Sequence, residues 1–294
     1  MSQDQTTHTL PAGLAMLFRT VRARSYHARR RMLRVLKRWG IDDRLARHGH
    51  VSYRFDDRDI HVDLADFVGR EMFKNGWYER PYVDFIRLSF ADADGMFLDV
   101  GANAGNYSLA LATHFAQTLA FEPDPHTFAV LENNCRRNPG LRIQPLQLGL
   151  SSEKKTLDFY RNAAGNSGAS GFEKPRQGVS PVAMVVEKGD ALIAATQKVS
   201  AIKIDVEGHE LEVISGLVDT IARDRPVVFL EWLTDTMEER GGIEALRALL
   251  PTDYRILCAT DPCSIAPEVL SAPYRRKYDI IFCVPAESSI PPMH

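Results

Sequence analysis

Several features are missing from this 294-residue sequence, and each absence removes a class of protein. No run approaches the ~20 consecutive apolar residues that a membrane-spanning helix needs. Cysteine is scarce. Cys135, Cys258, Cys263 and Cys283 form no CxxC pair, and no Cys/His cluster has zinc spacing. Scattered thiols of this kind fit a reducing compartment, where they serve as small core residues. The apolar patch Leu14–Phe18 is not preceded by a basic segment, so no secretory leader is expected and a cytoplasmic location is. A G-x-G-x-x-G dinucleotide fingerprint is also absent. Internal repeats are absent too.

What is present is ordinary in composition: 45% hydrophobic and 25% charged residues, with a net charge of −2. That length suits one large α/β domain with an appendage. The charge is unevenly placed. From Arg19 through Arg38 there are eight arginines and one lysine, with no acid. Leu14, Leu17, Phe18 and Val21 follow helical spacing, as do Met32, Val35, Leu36 and Trp39. Such a basic, weakly amphipathic segment either packs on its own domain by one face or meets an anionic partner, a membrane surface in particular. With no aromatic stacking pattern, nucleic acid is not expected as a partner. Three regions are expected: a basic extension over 1–50, partly helical or disordered, a hairpin and helical cap over 51–95, and the main domain over 96–294. In the cap, 51–64 alternate around a polar Asp56–Asp57 turn, the pattern of a hairpin, and 65–90 read as helical.

From Met96 onward strands and helices alternate. Strands are expected at Met96–Val100, Thr118–Phe121, Arg142–Leu148, Val199–Ile204, Val227–Glu231, Arg255–Ala259 and Asp279–Val284. Helices are expected at Tyr107–Phe115, Pro125–Arg137 and about Gly208 to Arg223. This rhythm predicts a mostly parallel sheet with covered faces. Residues 151–198 interrupt it, and Asn162–Gly171 read as a mobile Gly/Ser/Asn loop.

The most informative stretch is Phe97-Leu-Asp-Val-Gly-Ala-Asn-Ala-Gly105, a strand running into a glycine turn and then a helix. Glycines there let a backbone turn sharply against a ligand. Glu122 ends the next strand about 20 residues on, where a Rossmann-type fold places an acid against ribose hydroxyls. Asp99 just before the turn is awkward beside a pyrophosphate and suits a cationic ligand. Asp99, the Gly101–Gly105 turn and Glu122 are expected to face one crevice.

These segments, with Gly76-Trp-Tyr-Glu79, Ala120-Phe-Glu-Pro-Asp124, Ile202-Lys-Ile-Asp-Val-Glu-Gly-His-Glu-Leu211, Pro226–Glu231 and Tyr278–Val284, resemble the FkbM family of methyltransferases over about residues 68–285. The resemblance implies a Rossmann-like class I methyltransferase fold, with a mostly parallel seven-stranded sheet, one antiparallel strand and helices on both faces. It implies S-adenosyl-L-methionine as cofactor and O-methylation of a sugar, glycolipid or other small natural product. The cofactor residues it suggests are Glu79, Asp99, Gly101, Asn103, Gly105, Asn106, Glu122 and Asp205.

For chemistry the candidates are Asp205, Glu207, His209 and Glu231, the polar residues at the ends of the fourth and fifth strands. Three readings stay open. Asp205 holds the acceptor or acts as base; Glu207 and Glu210 merely charge a helix N-terminus; or Asp205, Glu207, His209 and Glu231 bind a divalent cation, the less favoured reading, for which no ligand is assigned. Lys203 is expected at the rim. A nicotinamide oxidoreductase and a non-catalytic cofactor-binding module are the alternative functions.

Overall fold

A computed structural model describes residues 11–162, 165–172, 180–258, 268–269 and 278–289. The segments expected at 1–9, at 163–164 of the loop and at Cys263 lie outside them. The chain opens with α1 (Ala12–Arg22), α2 (Tyr26–Arg38) and α3 (Ile41–Ala46), then the hairpin β1 (His50–Phe55) and β2 (Arg58–Asp63), then α4 (Phe67–Asn75) and α5 (Arg80–Phe90). The core follows as β3 (Asp92–Val100), α6 (Asn106–Leu111), β4 (Phe115–Phe121), α7 (Pro125–Arg137) and β5 (Ile143–Leu146). Three short strands, β6 (Gly149–Ser151), β7 (Lys155–Phe159) and β8 (Val182–Lys188), form a separate small sheet. The chain then returns through β9 (Val199–Ile204), α8 (Glu210–Ser215), α9 (Val218–Asp224), β10 (Val227–Leu233), α10 (Thr234–Glu239), α11 (Gly242–Leu249), β11 (Arg255–Cys258), β12 (Glu268–Val269) and β13 (Tyr278–Val284).

The main sheet has the spatial order β12-β11-β13-β10-β9-β3-β4-β5. Its seven longer strands form the mostly parallel Rossmann-like sheet expected of a class I methyltransferase, and the two-residue β12 extends one edge. β10, β9, β3, β4 and β5 run parallel, and β13 is inserted antiparallel between β10 and β11. The central strands are apolar on both sides because both faces are covered. Leu98, Val100, Ile202, Ile204, Val228 and Leu230 pack on one face with α8, α9 and α11. Phe97, Ala201, Val227, Phe229 and Phe282 pack on the other, in the same cluster as Phe18, Val21, Phe73, Phe85 and Leu109. The N-terminal helices therefore complete one layer of the sheet.

The hairpin joins this layer through a two-residue turn at Asp56 and Asp57, both with positive φ, the geometry whose twist matches paired strands. Arg22, one of the expected surface cations, is buried: it donates to the Phe73 carbonyl at 2.6 Å and lies over the Tyr53 ring. Arg29 is buried as well. Among the described residues no helix is long and apolar enough to cross a membrane.

Several expectations shift. The helix expected at Tyr107–Phe115 ends at Leu111, because Phe115 already starts β4. The helix expected from Gly208 to Arg223 is two helices broken at Gly216, where a Cβ would sit 2.0 Å from the Ser151 carbonyl oxygen. The break in rhythm after residue 150 is largely the small sheet, whose β7 and β8 pair antiparallel. Its loop includes a short turn at Ser167–Ala169, anchored as described below.

Asn134 of α7, fully buried, ties the hairpin to the core. Its side chain accepts from the His61 amide at 2.7 Å and donates to the carbonyls of His61 at 2.9 Å and Ala104 at 2.8 Å. Asn134→Ala would leave these groups buried and unpaired. We expect a loss of about 2–4 kcal/mol in urea unfolding; a variant within error of wild type would remove this link.

Candidate active site

The carboxyl ends of β3, β4, β9 and β10 open into one cleft of about 450 Å³. In a doubly wound sheet this is where ligands bind. Of the expected residues, Glu79, Gly101, Asn103, Asn106, Glu122, Asp205, Glu207 and Glu231 line it.

The turn after β3 is shaped by close approach. Gly101 has φ +77, and a Cβ there would sit 1.8 Å from the Asp205 carbonyl oxygen, so no other residue fits between β3 and β9. Glu122 faces this turn. Its two oxygens accept from the amides of Asn103 and Asp124, each at 3.0 Å. Burial pushes its carboxyl up to about 7, and those amides partly offset the shift. Asn106 clamps the preceding segment in both directions, accepting from the Tyr78 amide at 2.9 Å and donating to its carbonyl at 3.0 Å. That clamp holds Glu79, itself in a left-handed conformation with φ +50, against Tyr107, whose hydroxyl donates to it at 2.8 Å.

Lys203 lies at the floor of the cleft, a correction to its expected place at the rim. Alternation along β9 sends Ile202 and Ile204 to one face and Ala201 and Lys203 to the other, which α6 covers. The lysine is 6% exposed. Its ammonium donates to Asp205 at 2.8 Å and sits 4.7 Å above the Tyr107 ring. Burial disfavours its charge, but Asp205, Asp99 and Glu79 outweigh it and keep the lysine protonated well above neutral pH. In return, although burial opposes the charge on Asp205, Lys203 and a hydrogen bond from Glu231 hold that carboxyl below its usual range. Burial, then the negative Asp205, pushes Glu231 up to about 11, so it is a neutral acid that donates to Asp205. Burial and Asp205 together push Glu207 up to about 8. Glu207 also has φ +54, an uncommon conformation for a residue with a side chain.

Three expected residues lie outside the cleft. Asp99 shares the face of Phe97 and points under α6, where its Oδ2 accepts from the Ser108 amide at 2.9 Å and the Ser108 hydroxyl at 2.5 Å. It anchors the helix start and faces Lys203 from below. Gly105, with φ +88, makes the turn into α6 against Leu131 and does not line the cleft. His209 points to the small sheet. Its Nε2 is 3.0 Å from the Ser151 hydroxyl, its ring is 5.1 Å from that of Phe172, and burial lowers its pKa to about 4. The carboxylates of Asp205, Glu207 and Glu231 come within 4.8 Å of one another, without His209 among them. Asp205 of this group already holds a cation, Lys203.

Of the other lining residues, Phe67 and Phe172 carry no signal in the sequence; Tyr78 lies within the Gly76–Glu79 segment, Tyr107 follows Asn106, and Ser167 falls in the Gly/Ser/Asn loop. The loop is tied down on two sides. The Ser167 backbone amide donates to Asp66 at 2.6 Å, and the Asn103 side-chain Nδ2 donates to the Ser167 hydroxyl at 3.0 Å.

Comparison with known proteins identifies the family. The model of the methyltransferase FkbM domain matches residues 99–256. The hexuronic acid methyltransferase AglP of Haloferax volcanii is 35% identical over 142 residues, 47% of this chain and 57% of that protein. Methyltransferase 1 of Beauveria bassiana is 29% identical over 192 residues, 56% of this chain and 74% of that protein. The 2-O-methyltransferase NoeI of Sinorhizobium fredii is 27% identical over 178 residues, 53% of this chain and 70% of that protein. The matched region thus spans little more than half of the Haloferax relative. With its strand order, its turn after β3 and more than half of its length matched, the chain belongs to the FkbM family of methyltransferases.

Proposed function

We propose that the protein is an S-adenosylmethionine-dependent O-methyltransferase whose acceptor is a hydroxyl of a carbohydrate, a glycolipid or a related natural product. The observation that carries this reading is the carboxyl lining of the cleft: Asp205 is ionised beside Lys203, and a bound cation would favour ionisation of the protonated acids around it. Glu79, Glu122, Asp205, Glu207 and Glu231 line the cleft, and Lys203 is the only cation among its described lining residues. Such a site disfavours the pyrophosphate of a dinucleotide and suits a sulfonium. Gly101 lines the cleft as well, its missing side chain required by the Asp205 carbonyl behind it.

Glu122 would accept hydrogen bonds from ribose hydroxyls, and Glu79 with Asp205 would hold the cationic end. The cofactor supplies an electrophilic methyl group for an in-line displacement. The protein's task is then to align the acceptor oxygen and remove its proton. Asp205, kept ionised by Lys203, is a fixed hydrogen-bond acceptor for the hydroxyl. Glu207, with its carboxyl pushed up to about 8, is matched to take the proton near neutral pH. The rings of Phe67, Tyr78 and Phe172 give the acceptor an apolar wall. Carbohydrate acceptors are favoured by the relatives, one of which is named for a hexuronic acid and another for 2-O-methylation.

A base that must lose its proton before turnover makes the rate climb with pH. For a sugar acceptor, kcat/KM should therefore rise through about pH 8 and then level. Glu207→Gln should lower kcat by about 10²–10⁴-fold and remove that rise; a variant keeping the wild-type profile would exclude Glu207 as base. Glu122→Ala should weaken S-adenosylmethionine by about 10–100-fold in isothermal titration, the worth of a hydrogen bond to a charged group. Binding of NAD in place of S-adenosylmethionine by the wild type would overturn the whole assignment.

A further inference from the structure

One helix face is left with nothing packed on it. α2 turns Met32, Leu33 and Leu36 toward the core and buries Arg29 on the same side. An exposed stripe carries Arg31, Arg34 and Arg38 opposite the core, and Val35 and Trp39 where that stripe borders Met32. All five are exposed, Val35 by 50% and Trp39 by 71%. Lys37 and Arg30 flank the stripe, and Arg19 and Arg24 of α1 are exposed nearby in sequence. Neither α1 nor α2 contains an acid. Asp42, just beyond α2, is already engaged by Lys74 at 2.7 Å. Among the described residues, Arg31, Arg34, Lys37 and Arg38 take part in no ion pair.

Single exposed apolar residues are common on protein surfaces, but here an indole and a valine lie beside a row of cations with no acid among them. Exposed arginines around an exposed tryptophan match a lipid interface. There the cations meet anionic headgroups, and the ring sits at the headgroup boundary. A single-stranded nucleic acid would also satisfy the cations. It would however find one ring on this stripe where such sites stack successive bases on several.

We propose that this face of α2 docks the protein on an anionic lipid surface, with Arg31, Arg34, Lys37 and Arg38 on the headgroups and Val35 and Trp39 entering the boundary. From Arg31 to Trp39 the contact is about 12 Å long. It is separate from the cleft and independent of what the cleft binds.

The full chain carries its own reporter. Its other two tryptophans, Trp77 and Trp232, are buried, so a change in emission on binding comes from Trp39. The chain should cosediment with phosphatidylcholine vesicles containing phosphatidylglycerol, with a blue shift of that emission, and not with pure phosphatidylcholine. Added salt should weaken the binding, because exposed charges are screened. The triple variant R31E/R34E/R38E should bind at least about a hundredfold more weakly, at roughly fivefold per cation lost. Its circular dichroism and melting temperature should match wild type, since all three side chains are exposed. Trp39→Ala should abolish the blue shift. The proposal fails if the wild type does not sediment with anionic vesicles at low salt, or if the folded triple variant sediments like wild type. It also fails if single-stranded RNA binds as tightly as the vesicles and Trp39 emission stays unmoved on both.

Discussion

The site depends on a single buried ammonium. Lys203 lies among Asp205, Asp99 and Glu79, with the face of Tyr107 beneath it. Removing a charge from water costs several kcal/mol unless partners replace the lost hydration. Here the partners come from different parts of the chain: Asp205 from beyond β9, Asp99 from β3 and Glu79 from before α5. Each is placed by its own local device. Asp205 follows the strand directly, Asp99 is pinned by Ser108, and Glu79 is gripped by Tyr107. The lysine thereby couples the N-terminal cap to the sheet. It also divides the acids by role: Asp205 stays ionised, while Glu231 and Glu207, further from compensation, retain protons.

Much of this was legible in the sequence, and the exceptions have a common cause. The strand positions follow from apolar runs and the turn at Gly101 from the one run that ends in glycines, whereas the seven-stranded sheet with one antiparallel strand was implied by the family resemblance. Glu122 and Glu207 were found because they end strands on the side where the chain turns. Asp99 and His209 stand equally close to the cleft in sequence yet point elsewhere. Proximity along a chain gives position, and direction depends on which layer covers each face. Lys203 was misplaced for the same reason: alternation separates it from its apolar neighbours, but only the packing of α6 decides that its side is an interior. The small sheet of β6, β7 and β8 was hidden because β6 has only three residues, β7 and β8 are partly exposed, and a glycine- and serine-rich loop separates those two.

The basic extension shows a similar split. Charge density alone marks residues 19–38 as a surface, yet Arg22 and Arg29 are structural. Arg22 bridges α1 to the Phe73 carbonyl and stacks on Tyr53, so its charge is spent on a helix end and two rings. The segment is part of one core layer and, through Arg31, Arg34 and Arg38, presents an exposed row of cations on the side of α2 away from that layer.

Ser167 has a consequence for how the two walls of the cleft respond to change. Its amide is held by the residue that caps α4, and its hydroxyl by the side chain of Asn103 in the turn after β3. The loop that shapes the outer wall is thus fastened to the inner one. In this chain the outer wall is not a free module: an insertion that displaced Ser167 would also release Asn103, so a change in one wall is felt in the other.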